Sequence, residues 1–378
     1  MLRKSDVNWL LLEARKHPEA APQLIEALIE RLAELDKENE GLRDQIIRLQ
    51  HRQTPVQESS SAQVQSLRRQ IDVLKGIVDG QATSENALVF ISERLQAART
   101  SVGRAQDLAR QGQSMLGKHT LLDLAGLLAV RPHDEILMLS SLSRGFKILA
   151  SDVAPMIDEE HWPTTEGPAL KAGERLTVTI AVGEPPRFWT VATARGYAQR
   201  FVRVAFDQTI EKAGTLFASP FHNDPPVAIL DGSRGDVMLL SRWGEAVRFA
   251  QHTIDVAGSV ATQLDPDDRF VAAIALPQDA EILILTTSGH AARYDTQKLE
   301  AIAKPGAKSR RIFLARDVMS MLPCPPDTHL LYLTYGGKLH LLPTGEIDLL
   351  ARVGAGQELP QIKRDPILAA TLVPSSWL

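Results

Sequence analysis

The chain has 378 residues, 44% of them hydrophobic and 23% charged, so it is neither disordered nor membranous in composition. Its net charge is −4, which gives no overall basic signature for nucleic acid, and its one cysteine, Cys324, excludes an internal disulfide framework or a cysteine-built zinc site. The only apolar run near the N-terminus, Trp9 to Leu12, is too short for a signal or a membrane span, which implies a soluble, cytoplasmic protein with no membrane partner.

In chain order, residues 5–16 form a short helix that ends before His17-Pro18. A regular heptad follows over 21–49, with Ile25, Leu32, Asn39 and Ile46 at one core position and Leu28, Leu35, Leu42 and Leu49 at the other. Leucine at every d position and a single Asn at a favour a parallel two-stranded coiled coil, because Asn39 satisfies its amide only against its twin in register. The sequence therefore predicts a homodimer held by Leu28, Leu32, Leu35, Asn39, Leu42, Ile46 and Leu49, within an N-terminal region 1–50. Residues 51–63, polar and rich in Ser, read as a flexible linker. A second helical or coiled-coil segment is expected over 64–117, where Val64, Leu67, Ile71, Leu74 and Val78, then Leu88, Ile91, Leu95, Ala98 and Val102, keep 3-4 spacing.

From residue 118 to 378 the chain changes to short β-rich runs with turns and prolines. Five segments are self-similar: 135–149, 187–201, 236–249, 281–294 and 329–342. Each is an apolar run, a polar turn ending in glycine, and a second run; the glycines are Gly145, Gly196, Gly244, Gly289 and Gly337. A hairpin needs a residue that tolerates positive φ there, and a repeat of this length with three or four strands per unit is the size of a propeller blade. The expected fold class is α+β and multidomain: a helical coiled coil followed by an all-β pinwheel or propeller of about five blades. This β half carries 26 Lys+Arg against 30 Asp+Glu, so any polyanion binding must come from local clustering of charge.

The hairpin unit resembles the repeat of the DNA gyrase A C-terminal domain, whose blades read roughly apolar strand, E-N-G-Y-G-K-R, strand. The matching pieces are ARGYAQR (194–200), RWGEAVR (242–248) and TSGHAAR (287–293), with LDPDDRFVAAIAL (264–276) and KPGAKSRRI (304–312) similar to the family's loop-plus-strand and connector. The resemblance implies a β-pinwheel that binds double-stranded DNA without reading sequence. Arg200, Arg248 and Arg293, each four residues after its glycine, would stand along the rim with Arg203, and Lys304, Lys308, Arg310 and Arg311 form the densest basic cluster. Arg195 and Arg242 lie just before their turns.

The chain departs from that family in several ways. It has no Q-R-R-G-G-K-G box, its first and last repeats lack the basic residue at the fourth position, and five repeats are visible where six are typical. All four tyrosines, Tyr197, Tyr294, Tyr332 and Tyr335, lie inside β repeats, so no topoisomerase chemistry is expected. The segment GQSMLGK (112–118) has P-loop spacing, yet His119 replaces the Ser/Thr that would hold Mg²⁺. Asp267-Asp268 and Glu159-Glu160 read as solvated loop carboxylates, and Trp189, Trp243 and Phe188 as core. The ten histidines are scattered, so neither metal nor cofactor is expected. The function implied is a non-catalytic accessory DNA-binding or DNA-bending protein, dimeric through its coiled coil. The alternative is a protein-interaction scaffold that uses the same fold without DNA.

Overall fold

In the chain's computed structural model, residues 85–378 are described except 116–123, 157–168, 218–223, 277–279 and positions 213, 234, 256, 361, 363 and 364. The heptad with Leu28, Leu32, Leu35, Asn39, Leu42, Ile46 and Leu49, the linker 51–63 and Glu159-Glu160 lie outside the described residues.

Apolar strands of five to eight residues, separated by Ser/Thr-led turns, pair as hairpins that are each completed by a later strand. Blade one comprises β1 (Ala87–Ser92), β2 (Ala97–Ser101) and, after helix α1 (Val102–Gln111), β3 (Leu124–Val130). Blade two has β4 (Glu135–Ser140), β5 (Gly145–Leu149) and β6 (Leu176–Val182). Blade three has β7 (Phe188–Thr193), β8 (Tyr197–Val202), helix α2 (Arg203–Glu211) and β9 (Pro226–Asp231). Blade four begins with β10 (Asp236–Ser241) and β11 (Glu245–Ala250); the chain then lays β12 (Ser259–Val260) on the edge of blade three before returning as β13 (Phe270–Leu276). Blade five repeats this detour with β14 (Glu281–Thr286), β15 (His290–Asp295), β16 (Arg310–Arg311) on the edge of blade four, and β17 (Val318–Pro323). Blade six does so with β18 (Thr328–Thr334), β19 (Leu339–Pro343), β20 (Gln357–Glu358) on the edge of blade five, and β21 (Ile367–Pro374).

The described residues thus form six blades, not five. The additional blade is the hairpin 87–101, expected to be helical because Leu88, Ile91, Leu95 and Ala98 keep 3-4 spacing. Its first strand is buried on both faces, so ALVFI is apolar at every position before Ser92 and carries no alternation that would distinguish strand from helix.

The strands β3, β6, β9, β13, β17 and β21 each pack on the next, and β21 packs on β3, so the ring is closed. Together they line a channel of about 470 Å³ with Leu, Ala, Val, Met, Ser and Thr side chains and no ionisable group. Closure is also made at the outer edge. Ser114 bridges to Lys338 of blade six, and the Met115 N–H donates to the Gly337 carbonyl at 2.8 Å. Ala261, Ile312 and Leu359 make the same bond to Gly196, Gly244 and Gly289. Within the apparent P-loop, Gly112 caps α1, and Ser114 and Met115 lie on the outer edge of the last blade.

Each hairpin turn is held by a buried Ser or Thr at the end of the first strand: Ser92, Ser140, Thr193, Ser241, Thr286 and Thr334. The Ser241 hydroxyl accepts from the Trp243 and Glu245 N–H groups and donates to Asp268 at 2.6 Å. Glu174, Asp224 and Asp365 take the same role for Ser140, Thr193 and Thr334. Three residues on from that hydroxyl the backbone turns left-handed. Gly244 has φ 80°, and a Cβ there would clash with the Phe313 carbonyl oxygen. In blades one and two the position is filled by Leu95 (φ 64°) and Ser143 (φ 58°).

Candidate nucleic-acid interface

The left-handed residue sets the true register of the repeat. In blade two it is Ser143, not Gly145, and the residue four further on is Lys147. In blade one the equivalent of Arg200, Arg248 and Arg293 is Arg99, opposite Val89 in the hairpin as Arg293 is opposite Leu283. A basic residue therefore occupies this strand position in five blades, and only blade six, with Leu341, departs.

These side chains do not form a free arc along the rim. The Arg248 Nε donates to Asp236 at 2.7 Å and its Nη1 to the Thr296 carbonyl at 2.7 Å, fastening blade four to the connector arriving from blade five. Arg293 makes the same bracket with Glu281 (3.1 Å) and the Ile347 carbonyl (2.8 Å). Arg200 donates to the Gly232 carbonyl at 2.9 Å and lies over the Phe188 ring, 4.1 Å from its centroid. Lys147 pairs with Glu135 at 3.1 Å, and Arg99 is buried, its guanidinium pushed below its ordinary pKa by desolvation. The partners of Lys147, Arg248 and Arg293 are the carboxylates that open the paired strand, Glu135, Asp236 and Glu281.

The remaining candidates are differently placed. Arg203 opens α2, exposed, with Asp207 at 3.4 Å. Lys304, Lys308, Arg310 and Arg311 lie on the connector that runs along the outer edges of blades three and four. Gly306 N–H donates to the Ala261 carbonyl, and β16 pairs with β11. All four are exposed; Arg311 is held by Glu245 at 3.1 Å, whereas no carboxylate among the described residues lies within ion-pair distance of the other three. The structure brings this cluster together on one edge and does not join it to Arg200 or Arg293.

Trp189 is buried against Phe206, as its strand position implies. Trp243 is not core: it is half-buried in the turn of blade four, with the Arg316 guanidinium 5.1 Å from its ring centroid. Arg269 and Arg316 escape a reading of the sequence alone. Their signal is the Asp beside each, Asp268 and Asp317, whose side chains bind the turn N–H groups of Trp243 and Ser288 and so fix both arginines at the hairpin end. Among the described residues no three His, Cys, Asp or Glu side chains converge as a metal site, and no helix is long and apolar enough to cross a membrane.

A closed ring of six blades that lend outer strands to their neighbours is a β-pinwheel. The solved structure of the DNA gyrase A C-terminal domain matches it with a TM-score of 0.60 at 17% identity, covering 76% of this chain and 99% of that domain. The C-terminal domain of DNA topoisomerase IV matches with a TM-score of 0.54 at 15% identity, covering 78% and 94%. In sequence, the chain is 22% identical over 287 residues to the DNA gyrase A protein of Mycobacterium leprae (strain TN), a stretch that takes in 69% of this chain and 22% of that protein. No family model matches. The fold is that of the gyrase A and topoisomerase IV C-terminal domains.

Proposed function

We propose that this protein binds duplex DNA without reading its sequence, through the cationic connector on the outer edge of blades three and four. The observation that carries this reading is the exposure of Lys304, Lys308 and Arg310 on one edge with no neutralising carboxylate among the described residues, in a fold shared with the DNA gyrase A C-terminal domain. Ammonium and guanidinium groups so placed meet phosphates and fix register without touching base edges. Arg248 serves this function indirectly, by fastening the connector through the Thr296 carbonyl. In this reading the role is accessory and non-catalytic.

The heptad over 21–49 would pair two chains in parallel, and a second rim would raise avidity for one duplex. Bending a 20–30 bp site costs about 1–6 kcal/mol, so three or four phosphate contacts bend DNA little and a single ring binds weakly.

The test is fluorescence anisotropy of the full chain with a 30 bp duplex across a salt series. Binding should fall with log salt at a slope of about −3 or steeper, and Lys304→Gln with Lys308→Gln and Arg310→Gln should make it shallower by about 2.7. No binding at low salt would favour the second reading, a protein-interaction scaffold. One feature supports that alternative: Leu314, Leu349 and Val353 are 51%, 42% and 43% exposed where the outer connector of blade five crosses Leu314.

A further inference from the structure

Four arginines stand in a row at the hairpin-turn end of blades three to five. Arg195, Arg242, Arg269 and Arg316 are all exposed, and no carboxylate among the described residues lies within ion-pair distance of any of them. Main-chain hydrogen bonds fix their order: Phe270 N–H donates to the Ala194 carbonyl (2.8 Å), Arg242 N–H to Arg269 (2.8 Å), and Val318 N–H to Arg242 (3.0 Å). Three nearby acids, Asp224, Asp268 and Asp317, are turned onto turn N–H groups, and Asp224 also feels the Arg195 charge; Asp265 and Asp267 remain exposed in the loop before Arg269.

This row is continuous with the connector. From Arg310 and Arg311 at the edge, the chain passes Ile312, whose N–H binds the Gly244 carbonyl, and reaches Arg316 at the turn end of blade four. Along the perimeter, by contrast, the two-residue outer strands on either side of β16 carry no cation, and Arg352 alone is exposed on the described part of the blade-five connector. The outer strand of blade three is Ser259-Val260, with Val260 47% exposed, and that of blade five is Gln357-Glu358, with Glu358 exposed.

We infer that a duplex lying on the connector leaves the perimeter at blade four and crosses the hairpin-turn end over Arg316, Arg242, Arg269 and Arg195. This rests on the proposed DNA-binding function and gives it a path. Guanidinium forks bind phosphate bidentately, and four in a row suit the repeating charge of a backbone, which a short acidic peptide supplies less regularly. A duplex so placed crosses the ring and does not encircle it.

The experiment uses the full chain, the same 30 bp duplex and a variant with Arg195, Arg242, Arg269 and Arg316 all changed to Gln. Its salt slope should be shallower than that of the unaltered chain by about 3.6, and affinity at 0.1 M salt should fall at least about tenfold. The exposed pair Arg195→Gln and Arg269→Gln, which leaves the Arg316–Trp243 stack intact, should lose about 1.8 of slope. Plasmid relaxed in the presence of excess protein should keep its linking number. If the quadruple variant binds with unaltered affinity and slope while the connector triple has lost binding, the crossing path is wrong and the DNA-binding reading stands. A shift in linking number with the unaltered chain also overturns the crossing path. If the unaltered chain binds no duplex, the function itself fails, and this is seen before any variant is compared.

Discussion

Blade four and blade one are built on the same plan from different residues. Both place an antiparallel hairpin beside an inner strand, close the turn on a buried hydroxyl, turn left-handed three residues later and set an arginine four residues after that. In blade four these are Ser241, Gly244 and Arg248; in blade one they are Ser92, Leu95 and Arg99. A β-carbon in left-handed backbone costs about 1–2 kcal/mol, and Leu95 offsets this by burying its side chain in the core shared with blade two, where it is 3% exposed. The arginines diverge likewise: Arg248 is bracketed by Asp236 and Thr296, while Arg99 is buried. What the repeat requires is a backbone conformation and a bracket, and glycine is only the cheapest way to meet the first.

Breaking an ion pair should have its largest effect where the pair is most deeply buried, at the hairpin turn of blade two. There Arg144 Nη1 meets Glu174 Oε2 at 2.6 Å with the two side chains 6% and 0% exposed. Burial alone would raise the Glu174 pKa, but hydrogen bonds from Ser140, the Lys171 N–H and Arg144, with the guanidinium charge, outweigh it and hold the carboxyl below its ordinary range. Glu174→Gln removes the carboxylate from a buried ion pair, an expected loss of about 3 kcal/mol at pH 7 in chemical denaturation. A depressed carboxyl pKa contributes stability that is present above the unfolded value and lost as pH falls through the folded one. The gap between Glu174→Gln and the unaltered protein should therefore close in acid. Blade three gives the opposite sign: burial outweighs the bonds from Thr193 and the Arg195 N–H, and the Asp224 pKa is raised. Its folded state favours the proton, so that contribution is complete below the ordinary value and is lost as pH rises through the raised one. Asp224→Asn should accordingly cost less at pH 7 than Glu174→Gln.

A smaller effect separates the strand-position cations from one another. Arg248→Ala removes an ion pair whose side chains are 14% and 20% exposed, together with a bond to the Thr296 carbonyl, and should cost about 2 kcal/mol. Lys147→Ala, at the same place in blade two, removes a pair with the lysine 39% exposed and should cost under about 1 kcal/mol. Equal losses by thermal and chemical denaturation would mean that the bracket adds nothing beyond an ordinary surface pair. Lys147 does not touch the connector, so Lys147→Ala should bind duplex with an unaltered salt slope, whereas Arg248→Ala releases the connector at the Thr296 carbonyl and should make the slope shallower.

These pairs also show what the sequence can reveal. Blades three, four and five are legible because Gly196, Gly244 and Gly289 mark the turn and an arginine follows at a fixed distance. Blade two is recognisable but reads two residues out of register, since Gly145 lies beside a turn whose left-handed residue is Ser143. Blade one reads as helix because a strand buried on both faces has no alternating pattern. The function of the arginines is harder still: a guanidinium facing solvent and one clasping Asp236 have the same local sequence, and only the pairing of β10 with β11 brings Met238 and its neighbour Asp236 against that segment. The connector is legible as a charge cluster, because its density of lysine and arginine needs no partner strand to be noticed. Arg269 and Arg316 carry no such cluster and become neighbours only through the ring.

The smallest expected effect tests whether glycine really is the cheapest residue at the turn. Ser143 combines φ 58° with a fully buried hydroxyl that has no hydrogen-bond partner among the described residues. Ser143→Gly removes the left-handed penalty and the unsatisfied hydroxyl together, against the added freedom of glycine in the unfolded chain. The balance should be a stabilisation of about 1 kcal/mol, read as a rise of about 2 °C in thermal midpoint. Leu95→Gly removes the same backbone penalty but empties a core position, at a cost of about 2–5 kcal/mol for a large-to-small change, and should destabilise. Opposite signs at two equivalent turns would show that blade one keeps its leucine for packing, whereas blade two gains nothing from its serine; a destabilised Ser143→Gly would mean that the hydroxyl contributes to the turn after all.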